Sequence, residues 1–223
     1  GKLMVAPTVL WLSFFFVIPL LIVVAVSFAS RTPYGQVIFD WTLGNYARFT
    51  ETLYLSIFLD TLIVALITTV LTILLGYPLA YFIAQLPQKW QQPGLILVMI
   101  PFWINFLIRS YAWVIILRTQ GVLNTILLKF GLIEQPLQML YNEVAVMLGM
   151  VYALLPFMVL PIYVSIEQLD HRLLEAASDL GASPFTAFRK ITLPLTMPGI
   201  AAGTILVFIS SLGMFVVPDV MGG

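Results

Sequence analysis

Long apolar stretches alternate with short polar ones along the whole chain. A helix needs about 20 mostly apolar residues to cross a bilayer. Five stretches reach that length: about Val5–Phe28, Ile57–Ala84, Gly94–Leu117, Glu143–Ile166 and Pro198–Val217. The first has no ionisable residue and carries Pro7 and Pro19. The second starts near Asp60 and carries Gly76 and Pro78. The third holds Pro101, Asn105 and Arg109, the fourth Pro156 and Pro161, and the fifth is rich in Gly and Ser. The pattern predicts an all-α membrane protein, a polytopic helical bundle forming one transmembrane domain over residues 1–223. The first stretch exceeds the apolar core of a secretory signal and is followed by no clean small-residue cleavage site, so it reads as an anchor.

The longer connections cover about residues 29–56, 118–142 and 167–197. In the second, Val122, Leu123, Ile126, Leu127 and Phe130 have the spacing of a short helix. It could lie at the membrane interface or against the bundle. The third connection differs in kind. Leu169, Leu173, Ala176, Ala177 and Leu180 fall on one helical stripe. Asp170 suits its N-cap and Gly181 its left-handed C-terminal turn. Ser183-Pro184 then opens a second short helix, with Phe185 and Phe188 expected on one face. Glu175 and Asp179, four apart, share a side. Pro194 and Pro198 are expected to interrupt regular helix as the chain returns to the membrane. So polar an insertion between apolar spans must protrude from lipid. It is either a handle for a soluble partner or a solvated loop.

Composition supports the membrane reading. The chain is 61% hydrophobic and 9% charged, where soluble domains carry roughly 25% charged residues. Its 14 Pro and 14 Gly suggest kinked or interrupted helices. The absence of Cys excludes disulfides and thiolate chemistry, and a single His, His171, excludes multi-histidine metal sites. With a cytoplasmic N-terminus, Lys2, Lys89, Arg172, Arg189 and Lys190 lie inside and Arg31, Arg48, Arg118 and Lys129 outside, a slight bias in the expected direction. Asp40, Glu51, Asp60, Glu134, Glu143 and Asp219 then lie toward the outer face. The lysines are Lys2, Lys89, Lys129 and Lys190, and none sits in a phosphate-binding Gly-x-x-x-x-Gly-Lys-Ser/Thr loop. Any nucleotide-driven work must come from another polypeptide.

The run Leu173-Leu174-Glu175-Ala176-Ala177-Ser178-Asp179-Leu180-Gly181, followed by Ile191-Thr192-Leu193-Pro194, resembles the cytoplasmic coupling loop of ABC importer permease subunits. Pro101-Phe102-Trp103, Leu107-Ile108-Arg109, Tyr111-Ala112-Trp113, the run 154–161, the run 194–200 and Pro218-Asp219-Val220-Met221-Gly222-Gly223 are similar to the PotB-type permeases of spermidine/putrescine importers. The resemblance implies a type I importer permease fold with a sixth span beyond the five seen here. It implies a multi-pass protein of the bacterial cytoplasmic (inner) membrane. The expected partners are an ATPase dimer, a second related permease, an extracytoplasmic substrate-binding protein and membrane lipid, with no nucleic acid. No cofactor is expected on this chain, ATP and Mg belonging to the ATPase, and no catalytic or metal residue is assigned. The function implied is ATP-driven polyamine import by alternating access.

In that reading, residues 169–194 form the coupling helices. Glu175 orients or caps the first of them, with Asp179 beside it. Ala176 and Ala177 allow close approach of the ATPase, Gly181 makes the turn, and Leu193 and Pro194 fix the return. Ring faces and carboxylates attract a polycation, so Trp103, Asn105, Tyr111, Tyr152 and Asp219 are candidates for the pathway. Arg109 is expected to pair with an acid such as Glu143 or Asp219. Alternatives are import of another small solute, an ion-coupled transporter or channel acting alone, and a membrane enzyme built on Glu175 and Asp179.

Overall fold

The computed structural model describes residues 2–32 and 36–222, with side chains given for all of these except residues 2–4 and His171. Two units are distinguished, residues 1–60 and 61–223. In the first, α1 (Lys2–Ser27) is apolar on every side and includes both of its prolines. It leads into a two-stranded antiparallel hairpin, β1 (Ser30–Arg31) and β2 (Val37–Ile38), then α2 (Gly44–Phe49). The Asn45 amide donates to the carbonyls of Ser27 (3.0 Å) and Ala29 (2.7 Å), capping the end of α1. The helix α3 (Thr52–Gln85) begins in this unit and ends in the second.

The second unit contains α4 (Gln88–Trp103), α5 (Phe106–Leu117), α6 (Val122–Lys129), α7 (Glu143–Glu167), α8 (His171–Asp179), α9 (Pro184–Ala187), α10 (Leu193–Leu212) and α11 (Val216–Gly222). Its core is α7, whose Leu154, Met158, Val159 and Ile162 are almost fully enclosed. Tyr77, Ala80 and Ile83 of α3 and Val207 of α10 pack with them. The α7–α10 contact is tight at Gly199, where a Cβ would collide with Pro161 O and the Ser165 side chain. A second cluster joins Ala145, Val146 and Met150 of α7 to Leu117, Val217 and Met221. Among the described residues, five helical segments are long and apolar enough to cross a membrane: Val5–Ser27, Thr52–Gln85, Phe106–Lys129, Glu143–Glu167 and Pro184–Leu212. The chain is a multi-pass helical membrane protein.

Two expected spans differ in detail. Residues 94–117 are two helices, separated where Ile104 turns extended (ψ 136°). Asn105 Oδ1 accepts the Leu107 N–H at 2.9 Å and starts α5 as its N-cap, a local bond that competes with continued helix. Around the fifth span, Pro194 and Pro198 do not interrupt the helix. The chain widens into a π-helical turn over Phe188–Thr192, in which Leu193 N–H donates to Phe188 O. Pro194 thereby falls in the first turn of α10, where its missing N–H costs nothing, and the helix continues through Pro198 to Leu212. The short helix expected between residues 118 and 142 is α6. Its Asn124 is buried and its amide exchanges hydrogen bonds with the backbone of Leu137, both at 2.8 Å.

Candidate functional site

The polar insertion folds as a lever with a fixed root and an uncovered tip. At the root, Asp170 Oδ1 accepts the Arg172 N–H at 3.0 Å and caps α8. Glu175, expected to cap or orient this helix, sits exposed beyond its first turn. The cap is Asp170, because only a residue just before the helix can reach its unpaired N–H groups. Ala177 is the one residue of the stripe that is buried, at 8% exposure. Ala176, Leu173 and Leu180 face outward, as do Glu175 and Asp179.

The turn is the one the residue types foretell. Gly181 has φ +79°. Its N–H donates to Ser178 O, and the Ala182 N–H to Ala177 O, both at 2.9 Å. This pair of bonds is the Schellman arrangement, which satisfies carbonyls that the helix end would leave open. Ser183 Oγ then accepts the Thr186 N–H at 3.3 Å, with Pro184 at the first helical position. Two caps and a left-handed glycine fix the angle between α8 and α9.

The returning limb is anchored. The Phe188 ring meets Tyr77 and Tyr81 edge-on at 5.8 and 5.9 Å. Phe185, expected on the same face, points out at 71% exposure. Phe185 lies one turn nearer the tip, ahead of the part of the limb that packs on α3. Thr196 Oγ1 lies 3.0 Å from the Tyr77 hydroxyl and donates to Thr192 O at 2.9 Å. Leu193 packs on the α7 core, and Pro194 is exposed at the start of α10. The tip therefore presents Leu180, 89% exposed, and Phe185, on a support tied to α3 and α7. An uncovered apolar tip on a rigid arm suits gripping by a partner that buries it.

The five pathway candidates are scattered. Trp103 ends α4 and is exposed, Asn105 is the α5 cap, Tyr111 faces outward on α5, and Asp219 is exposed on α11. Among the described residues, Tyr152 is the one of the five that enters a cluster of rings and charge. Its ring meets Trp113 edge-on at 5.3 Å and lies 5.7 Å from the Arg109 guanidinium. Phe106 is 5.3 Å from the same guanidinium. Arg109 does not take the acid expected for it. Its Nη1 donates to Pro101 O at 2.6 Å, the carbonyl that Asn105 N–H would have bonded had α4 continued. Phe106 and Trp113 were missed by the residue reading, although their i−3 and i+4 spacing from Arg109 places all three on one helix face. Among the described residues, no group of three or more His, Cys, Asp or Glu could hold a metal ion.

No protein-family model matches the chain. It is 45% identical over 222 residues to the spermidine/putrescine transport system permease protein PotB of Haemophilus influenzae, covering 100% of this chain and 78% of the relative. A shorter match, 51% identical over 69 residues, is to the spermidine/putrescine transport system permease protein PotC of Escherichia coli, covering 31% of this chain and 26% of the relative. The fold is shared with a bacterial alginate ABC transporter whose crystal structure contains an alginate pentasaccharide-bound periplasmic protein. That match has TM-score 0.67 and 20% identity, over 92% of this chain and 70% of that one.

Proposed function

We propose that this chain, which belongs to the PotB family of ABC-importer permeases, is the transmembrane subunit of an ATP-driven polyamine importer in the bacterial cytoplasmic membrane. The observation that carries the coupling is the elbow: two capped helices around Gly181, anchored by Phe188 and Thr196, with Leu180 and Phe185 uncovered. The cargo assignment is supported by 45% identity to a spermidine/putrescine permease over the full chain.

The elbow's tip seats in a groove of a separate ATPase, which holds the ATP and Mg. The small, exposed side chain of Ala176 lets the two surfaces approach closely, Ala177 being buried against the chain itself, and Glu175 and Asp179 meet basic groups of the motor. ATP closes the motor dimer and displaces the tip. Gly181 and its two caps keep α8 and α9 at a fixed angle, so displacement passes through Leu193 and Pro194 into α10 rather than bending the loop. Because α10 packs without a gap on α7 at Gly199, the core moves with it. A second, related permease completes the pathway, and an extracytoplasmic binding protein delivers the amine. Of the pathway candidates Trp103 and Tyr111 offer exposed ring faces, each worth about 0.5–2 kcal/mol to a cation, whereas the Tyr152 ring is taken up by Arg109. Asn105 and Asp219 offer oxygen acceptors. Arg109, held on Pro101 O, closes the break between α4 and α5 rather than contacting cargo.

The test is reconstitution of this chain with its motor, partner permease and binding protein in liposomes. Uptake of labelled putrescine or spermidine that requires ATP and all four components is expected. Uptake by this chain alone, driven by an ion gradient, would overturn the reading.

A further inference from the structure

A cavity opens at the root of the elbow. It holds about 130 Å³, and its polar lining is Tyr81, Gln85, Gln91, Tyr163, Glu167 and Thr192. The Gln91 amide hydrogens are committed to Ala84 O and Leu86 O, both at 3.0 Å. Its Oε1 accepts the Tyr163 hydroxyl at 3.3 Å. What remains for a guest is the Tyr163 and Gln91 oxygens, the Glu167 carboxylate, the tyrosine rings, and the Gln85 amide and Tyr81 hydroxyl, which can each donate as well as accept. Among the described residues, neither Lys nor Arg lines the space. A ring-walled pocket whose charged group is a carboxylate complements a cation that carries N–H donors. Water occupies roughly 30 Å³ per molecule in the liquid, and a cavity of roughly 150 Å³ holds benzene. The space therefore suits one short aminoalkyl arm.

The walls come from the elements that must shift during transport. Tyr81 and Gln85 end α3, Gln91 begins α4, and Tyr163 and Glu167 end α7. Leu174 and Thr192 come from the outgoing and returning limbs of the elbow. A guest here bridges both limbs to the bundle. We propose that this cavity binds a primary alkylammonium, the free end of a polyamine on the elbow's side of the membrane. Its occupancy restrains the elbow and slows transport as the amine accumulates. This rests on the polyamine reading above.

The probe is n-butylamine, protonated near neutral pH and bearing a single ammonium. The complete importer in nanodiscs is assayed for ATP hydrolysis stimulated by the putrescine-loaded binding protein, with sodium chloride as the ionic control. Butylammonium is expected to lower wild-type turnover. Glu167→Gln should raise the half-effect concentration at least tenfold while leaving turnover without amine unchanged. Gln85→Lys, which tethers an ammonium at the rim, should turn over slowly with no amine present. A wild type no more sensitive to butylammonium than to salt, or equal sensitivity in Glu167→Gln, overturns the proposal. So does loss of the motor from purified Glu167→Gln complex, which would assign the carboxylate to a motor cation instead. Absence of putrescine-dependent stimulation in the wild type would instead defeat the cargo reading on which the proposal rests.

Discussion

Replacing Gly181 by Val tests the lever directly. A Cβ at this position meets nothing within 4 Å, so the substitution creates no clash and its whole cost is conformational. A β-branched residue held at φ +79° is strained by roughly 1–2 kcal/mol. The alternative is to leave the left-handed region and give up the two turn bonds at 2.9 Å, each worth about 0.5–1.5 kcal/mol. The chain takes the smaller loss, so the closed elbow weakens by about 1–2 kcal/mol, a factor of roughly 5–30 in its population. Measured in proteoliposomes as amine imported per ATP hydrolysed, Gly181→Val should lower coupling at least fivefold, with normal membrane insertion. Gly181→Asn, which tolerates the left-handed region, should stay close to wild type. Gly131 supplies the control. It has φ +66°, an open surround, and the same pair of bonds, Gly131 N–H to Leu128 O and Leu132 N–H to Leu127 O. Gly131→Val carries the same local strain outside the elbow and should leave coupling intact. Normal coupling in Gly181→Val, or equal losses at both glycines, would refute the argument.

Other substitutions separate docking from folding. Leu180→Asp alters a side chain that the permease leaves uncovered, so its thermal stability in detergent should hold within about 0.5 kcal/mol. Motor retention on co-purification should fall on the order of tenfold to hundredfold, since burying a leucine contributes about 1.5–3 kcal/mol. In Tyr77→Phe, Thr196 keeps its bond to Thr192 O but loses the hydroxyl at 3.0 Å. A loss of about 1 kcal/mol is expected, read as a lower melting temperature with the motor still bound. Gly199→Val should force α10 off Pro161 O and Ser165, costing about 1–3 kcal/mol or more. Size-exclusion profiles of the heated protein would show it as earlier aggregation.

The elbow was legible because its determinants are local. Asp170, Gly181 and Ser183-Pro184 act on backbone groups two or three residues away, and each does in the structure what its chemistry implies. The spans were legible because lipid demands long apolar runs. The break at Ile104 was not, because the run stays apolar through it and the deciding bond, Asn105 to Leu107 N–H, is a single side-chain choice. The Arg109 partner depends on that break: Pro101 O becomes available only when α4 ends. Pro194 and Pro198 looked like interruptions because proline removes an N–H. The π-helical turn at Phe188–Thr192 shifts the register so that Pro194 needs none. Which pathway residues come together is a matter of packing between helices, and Tyr152 beside Arg109 has no local signal at all.

The central claim is that the tip carrying Leu180 meets a separate motor on the cytoplasmic side. The chain has no cysteine, so Leu180→Cys introduces a unique thiol. Crosslinking it in membranes that also contain the ATPase should give one adduct, of permease with motor, and an impermeant maleimide added from outside should leave the thiol unmodified. A thiol labelled from the outer face, or one that never crosslinks to the motor in any nucleotide state, would contradict the account.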